Sequence, residues 1–392
     1  EGDWIELHNT TGDAIDIGGW FLSDDPGTPL KYEIAASTTL AANAYMVFNA
    51  RDHFGPASAD PGMLIPFGLS EKGDEVVVSS GSGGAQTGYQ EQESFAGADN
   101  GVTFGRHTLS DANVVFTTLE TRTQGGLNSG PLVGPVVISE INYHPAFAGY
   151  EYIKILNAGA SAVPLYDVAV PANTWQITNG VDFTFPPNVT LAAGTHLVLV
   201  PFDPDASPFE LSNFVSLYGV GTGVEILGPY SGGLSNGGER VSLSKAGMPD
   251  PVPPNEVPLI VVDSVKYNDV ASWPTGPDGR GEALARLDAT VIGDEPTNWQ
   301  GIVTRVAPEG NADLVSLALS TGTLAPSFDP NTFSYTAHVA YAIDNMTVVP
   351  TAADAGATIE VRVNGGGFMT VNSGTSSGAL ALLKEQIPLK FG

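Results

Sequence analysis

A chain of 392 residues, 42% hydrophobic and 9% aromatic, is long enough for two or three packed domains and too apolar for wholesale disorder. Its 43 acidic residues against 15 basic ones give a net charge of −28, a field that repels phosphate backbones and anionic bilayers and so argues against nucleic acid and lipid-surface partners. There is no cysteine, which excludes disulfides and thiolate metal sites, and no apolar run approaches the ~20 residues of a membrane-spanning helix. The acidic excess reads as solubility in a salty external medium, or more sharply as carboxylates gathered for calcium. The 47 Gly and 29 Pro carry no collagen period and fit many short strands joined by many turns.

The opening stretch alternates Trp4, Glu6 and His8 with Ile5, Leu7 and Asn9, the period of a strand with two different faces. Asn9 to Asp13 is turn chemistry, and Ile15, Ile17 and Trp20-Phe21-Leu22 resume the apolar run. Tyr45-Met46-Val47-Phe48 and Gly73 to Ser79 predict further strands, with the Gly/Ser-rich stretch from Ser80 to Gly88 as a hairpin tip or loop. Val102-Thr103-Phe104 and Val114-Val115-Phe116 close a first unit, and Gln124 to Pro131 reads as a linker. The chain begins on a strand and without a start Met, which predicts an internal piece of a longer protein.

A second unit opens at Pro135-Val136-Val137-Ile138, followed by an echo of the opening in Tyr152-Ile153-Lys154-Ile155-Leu156-Asn157. Thr190 to Val200 corresponds to Thr39 to Phe48, and Leu234 to Leu243 to Leu69 to Ser79. The offsets grow along the chain: 148 from Ile5 to Ile153, 164 from Glu75 to Glu239 and 180 from Arg106 to Arg286. That growth is expected of a tandem duplication whose second copy carries longer surface loops. The echo loses both Glu6 and His8 but keeps the closing Asn, so the opening stretch reads as framework. From about Asn311 a third alternating pattern begins, with Leu314 to Leu319, Phe333 to Val339 and Thr358 to Asn364-Gly365 as strands. No stretch outside the loops shows a helical period.

With these residues in view, the first two units resemble lamin-tail domains, an immunoglobulin-like β-sandwich family. The likeness rests on Trp4 to Asn9, Gly19 to Asp24 and Ala44 to Phe48 in copy one. In copy two it rests on Ile138 to Pro145, Glu151-Tyr152-Ile153, Tyr230 to Val241 and Asp263 to Asp269 before Trp273-Pro274. Lys154 departs from the family's acid, and Leu165-Tyr166-Asp167-Val168 from its Leu-Ser-Gly-Trp. The third unit resembles the cadherin-like β-sandwich family through Leu317 to Asp329, Tyr335 and Val348 to Asp354. The reading is therefore all-β, tandem immunoglobulin-like β-sandwiches in three domains. They are 1–130, lacking an N-terminal strand, 134–308 with longer loops, and 312–392, incomplete. The resemblance implies a bacterial exported protein, in some chains beside spore-coat-type kinase-like or nuclease domains.

Chemistry is sparse. The six histidines form no His-x-x-x-His or His-Glu-x-x-His pair, and His144 before Pro145 reads as a turn residue. Gly219-Val220-Gly221-Thr222-Gly223 lacks the Lys and the following helix of a phosphate loop. Asp203, Asp205 and Glu210 alternate oxygen ligands and are the calcium candidates, although the Gly and terminal Glu of an EF-hand are missing. The five tryptophans could stack on sugars but read first as core. The expected function is a non-enzymatic, extracellular or cell-surface structural and adhesive module without cofactor, or with calcium alone. Its partners would be proteins or further copies meeting β-edges, including a strand accepted by the third domain, or glycans, with no nucleic acid and no membrane insertion. The rivals are an accessory region of a larger secreted enzyme (kinase-like, nuclease or hydrolase) and a carbohydrate-binding module.

Overall fold

The computed structural model describes residues 2–145, 150–249, 256–304, 314–329, 335–353, 357–363 and 368–382. The all-β chain divides into two compact units, Glu1–Thr304 and Arg305–Gly392. The first holds both long sandwiches.

The first sandwich begins with β1 (Trp4–His8), β2 (Ile15–Asp16), β3 (Phe21–Ser23), β4 (Tyr32–Glu33), β5 (Thr39–Leu40) and β6 (Tyr45–Asn49). It ends with β7 (Gly73–Ser82), β8 (Ala85–Ala96), β9 (Thr103–Thr108) and β10 (Val114–Leu119). β4-β3-β7-β8 form one sheet, while β1-β6, β2-β5 and β9-β10 are two-stranded ladders. The strands run through most of the Gly/Ser-rich stretch to a two-residue tip at Gly83-Gly84. Both tip residues have positive φ, the geometry a tight hairpin needs. Alternation places Ile5, Leu22 and Phe48 on inner faces, where they meet Ile17, Tyr32, Ile34 and Leu40 in a continuous core.

The second sandwich contains β11 (Val136–Asn142), β12 (Tyr152–Asn157), β13 (Val163–Pro164), β14 (Gln176–Thr178), β15 (Val181–Thr184), β16 (Thr190–Leu191) and β17 (His196–Leu199). After helix α1 (Pro208–Tyr218) come β18 (Glu225–Leu227), β19 (Ser231–Gly232), β20 (Glu239–Ala246), β21 (Leu259–Tyr267), β22 (Glu282–Arg286) and β23 (Trp299–Val303). A six-stranded sheet, β18-β17-β12-β11-β22-β23, faces a five-stranded one, β19-β15-β14-β20-β21. The two enclose a core that includes Ile138, Ile153, Ile177, Leu243, Trp273 and Trp299.

Register makes the duplication explicit. Ile5 opposes Phe48 as Ile153 opposes Leu199, and Ile15 opposes Leu40 as Val163 opposes Leu191. Leu22 lies between Tyr32 and Val78 as Ile177 lies between Phe183 and Leu243. This pairing corrects one sequence match: the counterpart of Glu239 is Asp74, one residue before Glu75. Asp74 accepts from the Ser70 N–H at 2.9 Å and Glu239 from the Ser235 N–H at 2.5 Å, and each is preceded by a positive-φ glycine, Gly73 or Gly238. A one-residue slip would turn Val76 and Val78 away from the core, so the acid's identity is a poorer guide than the valines. The tryptophan absent from Leu165-Tyr166-Asp167-Val168 is present further along the chain. Trp175 donates its backbone N–H to the Leu165 carbonyl (3.0 Å) and its carbonyl accepts from Phe185, as Trp20 does with Ile17 and Ile34. Residues 166–174 stand where the first sandwich has only Gly18 and Gly19.

The expectation of no helix fails at α1. Ser207 and Pro208 with Glu210 are a helix start, and Leu211, Phe214, Val215 and Tyr218 recur at helical spacing. Phe214 packs with Tyr152, Val198, Val200 and Phe202 on the outer face of the six-stranded sheet. The third unit consists of four antiparallel strand pairs among the described residues, including Leu314–Leu319 with Val348–Ala352 and Ile359–Val361 with Met369–Val371. The Asn364-Gly365 turn signal and the Phe333-Ser334 strand start lie outside the described residues.

Candidate functional site

The opening stretch is framework, and its asparagine shows how. Asn9 is 3% exposed and its side-chain amide donates to the carbonyls of Asp13 (2.8 Å), Leu40 (3.1 Å) and Ala41 (3.0 Å). Asn157, fully buried, donates to Ser161 and Leu191, both at 2.9 Å. Each side-chain oxygen accepts an N–H two residues on, Thr11 or Gly159, at 3.0 Å. The amide thus ties the end of the first strand to the loop that returns from the second ladder. His8 lies stacked on Tyr45, ring centroids 4.1 Å apart. Glu6 accepts from the Gly125 N–H at 2.5 Å, and burial holds its carboxyl above the usual carboxylate range against that bond.

The two sandwiches differ most at a second repeated feature. Arg286 on β22 holds Asp263 on β21 through both terminal guanidinium nitrogens, at 2.6 and 3.2 Å, with side chains 1% and 3% exposed. Burial pushes the Asp263 carboxyl up, and Arg286 and the Ile138 N–H pull against it. In the first sandwich Arg106 on β9 meets Glu91 on β8 at 2.5 Å, and Glu93 at 2.8 Å. Glu91 opposes Val78 as Asp263 opposes Leu243, so the pairs are equivalent. Here, however, the two side chains of the Arg106–Glu91 pair are 47% and 42% exposed. What covers the second pair is β11: the Ile138 N–H donates to Asp263 (2.8 Å) and the Ile138 carbonyl accepts from Arg286 (3.1 Å). β11 pairs antiparallel with β12 on one side and β22 on the other. Among the described residues, β1 pairs with β6 alone and β9 with β10 alone. Composition carries no signal of this difference; tracing Ile5 and Arg106 to their partners reveals it.

The other polar groups are engaged in holding strands. Glu140 on β11 accepts from the Tyr152 hydroxyl and pairs with Lys154. His144 lies against Asp278 at 2.6 Å, and its carbonyl accepts from Gly279. Asp203 accepts from the N–H groups of Asp205 and Ala206 at 2.9 and 3.0 Å, a turn that leads into α1, while Glu210 stands in the first helical turn. The described residues contain no group of three His, Asp or Glu placed to hold a metal ion, so the structure does not assemble the three calcium candidates into a site. A melting curve of the full chain is expected to stay in place when EDTA replaces added calcium; a fall in Tm would restore a bound cation. Gly219 terminates α1 in the left-handed conformation, which explains this glycine of the run without any phosphate. Trp175, Trp273 and Trp299 are buried; Trp4 lies under the Arg122 guanidinium and Trp20 beside Tyr89.

Residues 1–113 match the family model described as Lamin Tail Domain, and residues 314–380 match the one described as Cadherin-like beta sandwich domain. A protein of Evansella cellulosilytica named "Putative membrane protein" is 29% identical over 96 residues, which is 24% of this chain and 13% of that protein. The chain thus spans a small part of the relative's length. No solved structure matches the chain. No helix of the described residues is long and apolar enough to cross a membrane.

Proposed function

We propose that the chain is a non-catalytic structural and adhesive module of an exported protein displayed at a cell surface, with residues 134–308 as a second lamin-tail-type sandwich. One observation carries this reading: at equivalent positions of the two sandwiches, the buried or paired polar groups (Asn9 and Asn157, Asp74 and Glu239, Arg106 and Arg286) all fasten strands or turns to one another. Duplication that retains fasteners and discards Glu6 and His8 is what a spacer needs and an active site does not. The match of residues 314–380 to a cadherin-like domain and the name of the Evansella protein support surface placement. The strongly acidic surface suits an external, saline medium. An antibody raised against this chain is expected to stain intact source cells. Staining only after the cells are made permeable would refute the surface placement.

A further inference from the structure

The two sandwiches of the first unit keep separate cores: each buried apolar cluster among the described residues draws its members from one sandwich alone. What crosses between them is polar or backbone. Lys72, just ahead of β7, pairs with Glu256, ahead of β21, at 2.9 Å, and Lys245 on β20 pairs with Asp99, just past β8, at 2.5 Å. Two residues before Asp99, Gly97 meets Ile260 in a single parallel bridge. A Cβ at Gly97 would stand 2.7 Å from the Leu259 carbonyl oxygen, so the backbones approach there as only glycine allows. Ser110 donates its N–H to Glu295 at 3.0 Å and its hydroxyl to the same carboxylate. A cavity of about 570 Å³ opens at this joint, lined by Lys72, Gly97, Ser242, Ser244, Glu256 and Leu259, so the joint encloses open space where a shared core would pack.

Acids outnumber cations 43 to 15 in this chain, so two of its surfaces brought together at random would mostly set acid against acid. Here each sandwich gives one lysine and one carboxylate, and a shift of either sandwich breaks both pairs. Charge complementarity of this kind fixes register. It does not fix it firmly, because the four side chains are 33–61% exposed and such pairs contribute little each. A small polar contact between domains permits relative motion. We infer that the joint is a latch. Lys72–Glu256 and Lys245–Asp99 hold the two sandwiches in one orientation, and their release lets one swing against the other on the connecting chain with both cores intact. The latch yields before any core strand is drawn out, since its contacts are exposed and theirs are buried. The inference rests on these contacts and not on surface display, so either can fail without the other.

The chain has no cysteine, so spin labels at Thr10→Cys and Ala193→Cys, one exposed site in each sandwich, report the separation of the two within the full chain. The labelled parent should give one narrow distance distribution. Lys72→Glu with Lys245→Glu sets acid against acid at both pairs and should lower the closed-to-open ratio by roughly tenfold or more, which broadens the distribution. Adding Glu256→Lys and Asp99→Lys to that chain restores opposite charges in swapped places and should return the narrow distribution. The thermal unfolding midpoints should match the parent's throughout, because the four side chains lie outside the cores. The inference is overturned if the parent distribution is already broad, if the double reversal leaves it narrow, or if the fourfold variant stays open. A fall in midpoint that accompanies the broadening would make these lysines part of core stability and would also overturn it.

Discussion

Replacing Arg286 by Met is expected to destabilise the second sandwich by about 3–5 kcal/mol, the cost of leaving a buried carboxylate without its partner. Asp263 is 3% exposed and keeps only the Ile138 N–H among the partners that offset its lost hydration. The same change at Arg106 should cost less than about 1 kcal/mol, since Glu91 and Glu93 there return to water. Two arginines at equivalent positions thus differ severalfold in effect, and the difference comes from the strand laid over one of them. Urea unfolding followed by hydrogen exchange would assign each loss to its sandwich. The double variant Arg286→Met with Asp263→Leu should regain most of the stability, because the unpaired charge is then gone. Equal losses at Arg106 and Arg286 would contradict this account of the pairs.

Asn157→Ala is expected to cost about 1–3 kcal/mol, and Asn9→Ala a similar amount, because each strands one buried carbonyl, of Leu191 or Leu40, and loosens the half-buried ones beside it. At Asn157 these are the Ser161 and Leu191 carbonyls; at Asn9 they are those of Asp13, Leu40 and Ala41. Asp at either position keeps the shape and the acceptor but cannot donate, so it should be no better than Ala at neutral pH. A thermal melt of each variant checks this. Loss at one site and none at the other would mean that the two asparagines are not equivalent fasteners.

Much of the fold is legible because strands announce themselves by period. Trp4 to Asn9 and Tyr152 to Asn157 match as sequences, and the registers Ile5 with Phe48 and Ile153 with Leu199 agree with that match. The matching of Arg106 to Arg286 also holds, through their carboxylate partners. Matching acid to acid places Glu75 against Glu239, one residue off, since a half-buried carboxylate outside the core is a weaker anchor than a valine facing it. Trp175 escapes as the twin of Trp20 because an inserted loop separates it from Leu165. The helix Pro208–Tyr218 is hidden by the acids of its own N-terminal turn, which read as oxygen ligands; Ser207, Pro208 and Glu210 together are the available signal. The exposure of Arg106 is not legible at all, because burial depends on which strand lies above a residue, and composition does not carry that.

The claim that the two sandwiches are one duplicated fold is tested most directly by hydrogen exchange across the chain. The ladders shared by both, β3 with β7 and β14 with β20, should show comparable protection. The paired amides of β1 and β6 should likewise match those of β12 and β17, and the amides held by Asn9 those held by Asn157. Strong protection of these ladders in one sandwich and its loss in the other would contradict the claim.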